Sequence, residues 1–160
     1  MIPRTFARIT SLAVLLTVAA ALLMVSHVAL RAASDPWTSS QTVQPADLLK
    51  ELSDSKSAPT IVFVGFNRLY TAGHIKGAQN HGMAGNEAGL LELKTWASSL
   101  PRSSKLVIYC GCCPMDRCPN LRPAFAALRD LGFTKLRVLL LPTDFAADWA
   151  DKGYPFDRGQ

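Results

Sequence analysis

Three short apolar runs, separated by stretches of helical spacing and closed by glycine or proline, make this chain an α/β protein with a mainly parallel sheet. The runs are residues 60–64 (TIVFV), 106–109 (LVIY) and 136–141 (LRVLLL). Their β-branched and aromatic content is unbroken by polar alternation, which is the pattern of strands buried on both faces. With 160 residues, 49% hydrophobic and 18% charged, the chain has room for one packed domain and is not a disordered polymer. Four cysteines are too few, and too clustered, for a disulfide-stapled miniprotein.

From the N-terminus, residues 9–30 carry no formal charge and follow Arg4 and Arg8. A basic start followed by an apolar core reads as a leader over residues 1–33, either a cleaved signal peptide or a retained anchor. At 1.5 Å per residue, an uncharged stretch of this length also spans the roughly 30 Å hydrocarbon layer. The body is then expected outside the cytoplasm, periplasmic or anchored in the inner membrane facing the periplasm, with membrane contact only through an uncleaved leader. Setting aside Arg4, Arg8 and Arg31 leaves 14 basic residues against 12 acidic ones. A body charge of +2, with no Lys/Arg stripe, gives no basis for nucleic-acid binding.

Residues 34–41 (SDPWTSSQ) read as a polar linker. Residues 45–52 place Leu48, Leu49 and Leu52 at helical spacing behind Pro45 in the first turn. Further helices are expected over 87–100 and 121–131. The latter presents Leu121, Phe125, Leu128 and Leu131 on one side and stops at Gly132. In a parallel sheet, ligands bind beyond the carboxyl ends of the strands.

All four cysteines lie in such a place, within YCGCCPMDRCPNLRPAF, between the run ending at Tyr109 and the helix starting at Leu121. A thiol between a strand end and a helix N-terminus faces unpaired backbone N–H groups and the positive end of the helix dipole, which favour the thiolate. Arg117 can add a full charge, and a loop of inward amides would cradle an anion.

Residues 42–156 resemble the rhodanese-like domain, leaving 157–160 as a C-terminal tail. YTAGHIKGA (residues 70–78) is similar to the family's Y-x-x-G-H-I-P-G-A segment, with Lys76 in place of the proline. VIYC, ending at Cys110, is similar to the strand that delivers its catalytic cysteine. Trp149 and KGYP (residues 152–155) match its closing W and G-x-P. The resemblance implies a sulfurtransferase: a cysteine thiolate takes the outer sulfur of a small anionic donor as a persulfide and passes it to a thiol or protein acceptor. On strand phase the nucleophile is Cys110. Gly111, Cys112, Cys113, Met115, Asp116 and Arg117 would form the substrate-binding loop, with Cys112, Cys113 and Cys118 able to resolve a persulfide. No cofactor is implied.

The family loop reads C-x-x-G-x-R, whereas Met115 stands five residues after Cys110 and the Cys/Arg spacing is met instead by Cys112 and Arg117. Either the loop is two residues longer or Cys112 is the nucleophile. Phe63 and Gly65 stand where the family has aspartate and arginine, and Asp144 and Phe145 replace a glycine pair. Cys110 to Cys113 is also a C-x-x-C followed by proline, so a thiol-disulfide redox protein is an alternative, as is a non-catalytic binding module. A four-thiolate metal site is disfavoured because the adjacent Cys112 and Cys113 hinder tetrahedral closure. His74 reads as structural, Asp116 as a cap for the following helix, and Asn120 as that helix's N-cap.

Overall fold

The computed structural model describes residues 35–159, so the expected leader lies outside the described residues. Among them, no helix is long and apolar enough to cross a membrane. In chain order they form β1 (Thr42–Val43), α1 (Pro45–Ser53), β2 (Thr60–Phe63), α2 (Asn67–Ala72), β3 (His74–Ile75), β4 (Gln79–Asn80), α3 (Glu87–Ser98), β5 (Lys105–Tyr109), α4 (Leu121–Asp130), β6 (Lys135–Leu139), α5 (Phe145–Asp148) and β7 (Phe156–Asp157). Single 3-10 turns occur at Ser39–Gln41, Met115–Arg117 and Ala150–Lys152.

Five strands make one parallel sheet in the order β1-β6-β5-β2-β4. The central strand is β5, where Ile108 sits opposite Val62 on one side and Val138 on the other. Side chains alternate across a strand, so each apolar run feeds two cores. Val62, Leu106, Ile108 and Val138 pack with Leu93 of α3 and Leu121, Phe125 and Leu128 of α4. Ile61, Phe63, Val107, Tyr109 and Leu139 pack on the opposite face with Leu48 of α1, Tyr70 of α2 and Trp149. This two-sided burial is why the runs lack polar alternation.

Two expected boundaries are corrected. The segment read as a linker is packed: Trp37 is buried, its ring edge-on to Phe125 with centroids 5.5 Å apart, and Asp35 pairs with Arg122 at 2.6 Å. Its polar composition concealed a single aromatic anchor. The residues read as a tail also belong to the domain, because β7 pairs antiparallel with β3, Asp157 opposite His74, and the Gly159 amide donates to the Thr71 carbonyl at 2.9 Å. His74 has the structural role expected of it. It is buried, stacks on Tyr70 at 3.8 Å, and its Nδ1 meets the Tyr70 carbonyl at 2.8 Å.

Helix α1 is pinned to the sheet by a two-pronged ion pair in which Arg137 Nη1 and Nη2 donate to Glu51 Oε1 and Oε2 at 2.8 and 2.5 Å. The Arg137 hydrogen bonds hold the Glu51 carboxyl below its ordinary range. A lowered carboxyl pKa contributes stability only while the group is ionised, so the contribution is present at neutral pH and lost as pH falls through the folded-state value. Because both side chains are partly exposed, Glu51→Gln should cost under about 1 kcal/mol at neutral pH. Urea unfolding should show that cost vanish in acid, well below about pH 4.

Candidate active site

Cys110 is the first residue after β5, at the carboxyl end of the central strand, and only 1% of it is exposed. Two glycines make its position possible. A Cβ on Gly65 would lie 2.9 Å from Cys110 Sγ and 2.7 Å from the Phe63 ring, so the sulfur occupies space that any side chain would take. Gly111 has φ +68°, the left-handed region, and a Cβ there would meet Phe145 Cβ at 2.7 Å. Its carbonyl accepts from the Phe145 amide at 3.1 Å, tying the loop to the start of α5. Phe63, Gly65 and Phe145 therefore form one mutually dependent packing arrangement.

Beyond Cys110 opens a cavity of about 520 Å³ whose walls include Gly111, Cys112, Leu69, Phe63, Phe145 and Phe156. Of the expected binding loop, only Gly111 and Cys112 reach this cavity. Cys113 is half-buried, with its sulfur 3.1 Å from that of Cys112, and Met115 packs partly buried against the core beside α3 and α4. The roles expected of Arg117 and Asp116 are corrected: their side chains are 80% and 76% exposed and face each other at 4.0 Å. The 3-10 turn at Met115–Arg117 carries Arg117 outward into water, and Asp116 lies too early in the loop to cap α4. The cation at the cavity is Arg158, with Asp144 and Asp151 as nearby carboxylates. Asp144 caps α5 by accepting from the Ala147 amide at 2.8 Å.

Asn120 is the site-lining residue that sequence reasoning misassigned. It makes no side-chain cap to α4. Fully buried, it accepts from the Gly85 amide through Oδ1 at 2.8 Å and donates through Nδ2 to Cys110 Sγ at 3.2 Å. A signal for this was present: Pro123 occupies the third helical position and has no amide hydrogen for a cap to receive.

The four cysteines are free thiols. The sulfurs of Cys110, Cys112 and Cys118 lie within 4.8 Å of one another, with Cys110 and Cys112 at 3.2 Å. The expectation that Cys110 itself faces the helix N-terminus is corrected by this geometry. Cys118, three residues before α4, is the sulfur met by the backbone amides of Asn120 and Leu121, while the Cys110 thiol donates to Cys112 Sγ at 3.2 Å. The neighbouring Cys110 thiol and these amides hold Cys118 down to about 6. Hydrogen bonding to the Cys118 sulfur and burial push Cys110 far above the ordinary thiol range, with the Asn120 amide opposing them. The two shifts run in opposite directions, so the surroundings favour the anion on Cys118 over one on Cys110.

Comparison with solved structures places the fold. The rhodanese-like domain of the Alr3790 protein from Anabaena sp., determined in solution, is 26% identical over 74% of this chain and 79% of that one, with a TM-score of 0.54. A crystal structure of the Alr3790 protein is 24% identical over 73% and 92%, with a TM-score of 0.57. EanB, captured with a cysteine persulfide and ergothioneine, is 20% identical over 73% of this chain and 28% of that one, at 0.54. No protein-family model and no curated protein matches the sequence. The described residues have the rhodanese-like fold, with a cysteine-rich loop at the carboxyl end of the central strand.

Two measurements check the site. Absorbance of the thiolate in the reduced protein should show one group titrating near 6, absent from Cys118→Ser. Asn120→Ala should cost about 0.5–1.5 kcal/mol in urea unfolding, because its hydrogen bond from the Gly85 amide is lost. The same change should slow alkylation of Cys110, read by peptide mapping, because it removes the donor that favours the Cys110 anion.

Proposed function

We propose that this domain is a sulfurtransferase that carries sulfane sulfur on Cys110. The observation that carries this reading is the Cys110 sulfur at the cavity wall within 4.8 Å of the Cys118 sulfur, which the Asn120 and Leu121 amides meet. As Cys110 Sγ attacks the outer sulfur of a donor, its proton passes to Cys118, which acts as general base. The sulfur–sulfur bond of the donor breaks, its remainder leaves as an anion, and Cys110 becomes a persulfide. An acceptor thiolate then attacks the terminal sulfur and returns Cys110 as the leaving group.

The choice of Cys110 over Cys112 is supported by its fixed direction at the end of β5 and by the hydrogen bond from Asn120. EanB, a protein with the same fold, holds a persulfide on a cysteine, so the architecture accommodates this species. Arg158 replaces Arg117 as the residue that would meet an anionic donor, while the phenylalanines favour an apolar body on the donor or acceptor. The uncharged stretch after Arg4 and Arg8 supports export, with the domain in the periplasm or held to the inner membrane facing it.

The 3.2 Å contact between Cys110 and Cys112 favours a second reading, a dithiol redox centre. Mass spectrometry of the reduced protein after exposure to thiosulfate or a polysulfide separates the two. A gain of about 32 Da, one sulfur atom, lost in Cys110→Ser, is expected. A loss of two hydrogens in the unaltered protein with no gain of sulfur even in Cys112→Ser, where the nearest resolving thiol is gone, would establish the redox reading, and no change of either kind would leave a binding module.

A further inference from the structure

We propose that Cys110, Cys112 and Cys118 also form a three-coordinate thiolate site for Cu(I). The adjacent pair Cys112 and Cys113 argues against a four-sulfur tetrahedron, and the folded loop resolves that conflict by leaving one sulfur out. Three sulfurs converge within 4.8 Å of one another, while the Cys113 sulfur, 3.1 Å from that of Cys112, falls outside this set. No histidine or carboxylate among the described residues joins the cluster as a fourth ligand.

A metal–thiolate bond of about 2.3 Å in a trigonal plane sets sulfurs roughly 4.0 Å apart, so small side-chain adjustments reach the geometry. Thiolate ligands select soft ions, and an all-sulfur set without a fourth donor suits monovalent copper better than zinc. The surroundings match a buried metal–thiolate centre. Asn120 Nδ2 already donates to Cys110, the amides of Asn120 and Leu121 face Cys118, and the ten-residue helix α4 directs its positive end there. These donors offset the negative charge that three thiolates leave around a single positive ion. Cys112, half-exposed and lining the cavity, is the route of entry. Binding releases the remaining thiol protons to solvent, and the ion stays Cu(I) throughout. Copper and a persulfide would compete for Cys110, yet the site depends only on the three sulfurs and not on sulfur transfer.

The test is an anaerobic titration of the reduced full chain with Cu(I) against bicinchoninate, followed by X-ray absorption. One copper per chain, three sulfur neighbours at about 2.3 Å and unchanged retention in Cys113→Ser are expected. Losing a ligand should weaken retention by more than the roughly 10–100-fold that losing a ligand's hydrogen-bond partner costs. Cys118→Ser alters the buried core, so Cys112→Ser, at a half-exposed position, carries the same test. Copper retained in Cys112→Ser, lost in Cys113→Ser, or bound by two sulfurs would overturn the site. So would zinc held by four sulfurs. Sulfur uptake measured by mass on the metal-free protein is a separate readout, so either proposal can fail alone.

Discussion

A buried carboxamide must find partners at both ends, and Asn120 meets this demand by joining two segments that are distant in sequence. Its oxygen takes the Gly85 amide from the loop before α3, and its nitrogen faces the Cys110 sulfur at the end of β5. Leaving either end unpaired in a fully enclosed position would cost about 1–3 kcal/mol. The same residue begins α4, so its backbone amide is one of those directed at Cys118. One side chain and its own peptide unit thus link the Cys110 and Cys118 sulfurs.

Charge in the cluster is divided by position. Amides at a helix start favour an anion and burial disfavours one, and the two cysteines experience these influences unequally. Cys118 is given backbone donors, whereas Cys110 sits deeper against Gly65 and Phe63. Burial thus disfavours a standing thiolate on Cys110 at the cavity wall, where oxidants would meet it first.

The sheet was legible because its three long strands are covered on both faces, which leaves a run of apolar residues no helix pattern imitates. The two-residue strands β1, β3, β4 and β7 are too short to carry any periodicity. Cys110 was legible for the same reason as β5, since the strand fixes where it emerges. The rest of the site depends on contacts between segments far apart in the chain. Arg117 stands at a family-like spacing, yet a 3-10 turn points it into water. Arg158 reaches the cavity only because β7 pairs with β3, and Trp37 is anchored by a helix almost ninety residues further along. Local grammar made Asn120 a cap, and only the missing amide of Pro123 spoke against it.

The cavity wall is assembled from both ends of the domain's order of synthesis. Phe63 and Leu69 come early, Cys110 and Gly111 midway, and Phe156 and Arg158 last. A nascent chain therefore displays its reactive sulfurs before the aromatic rim that encloses them has left the ribosome. During that interval the thiols are open to any electrophile nearby, and enclosure waits for β7 to pair with β3.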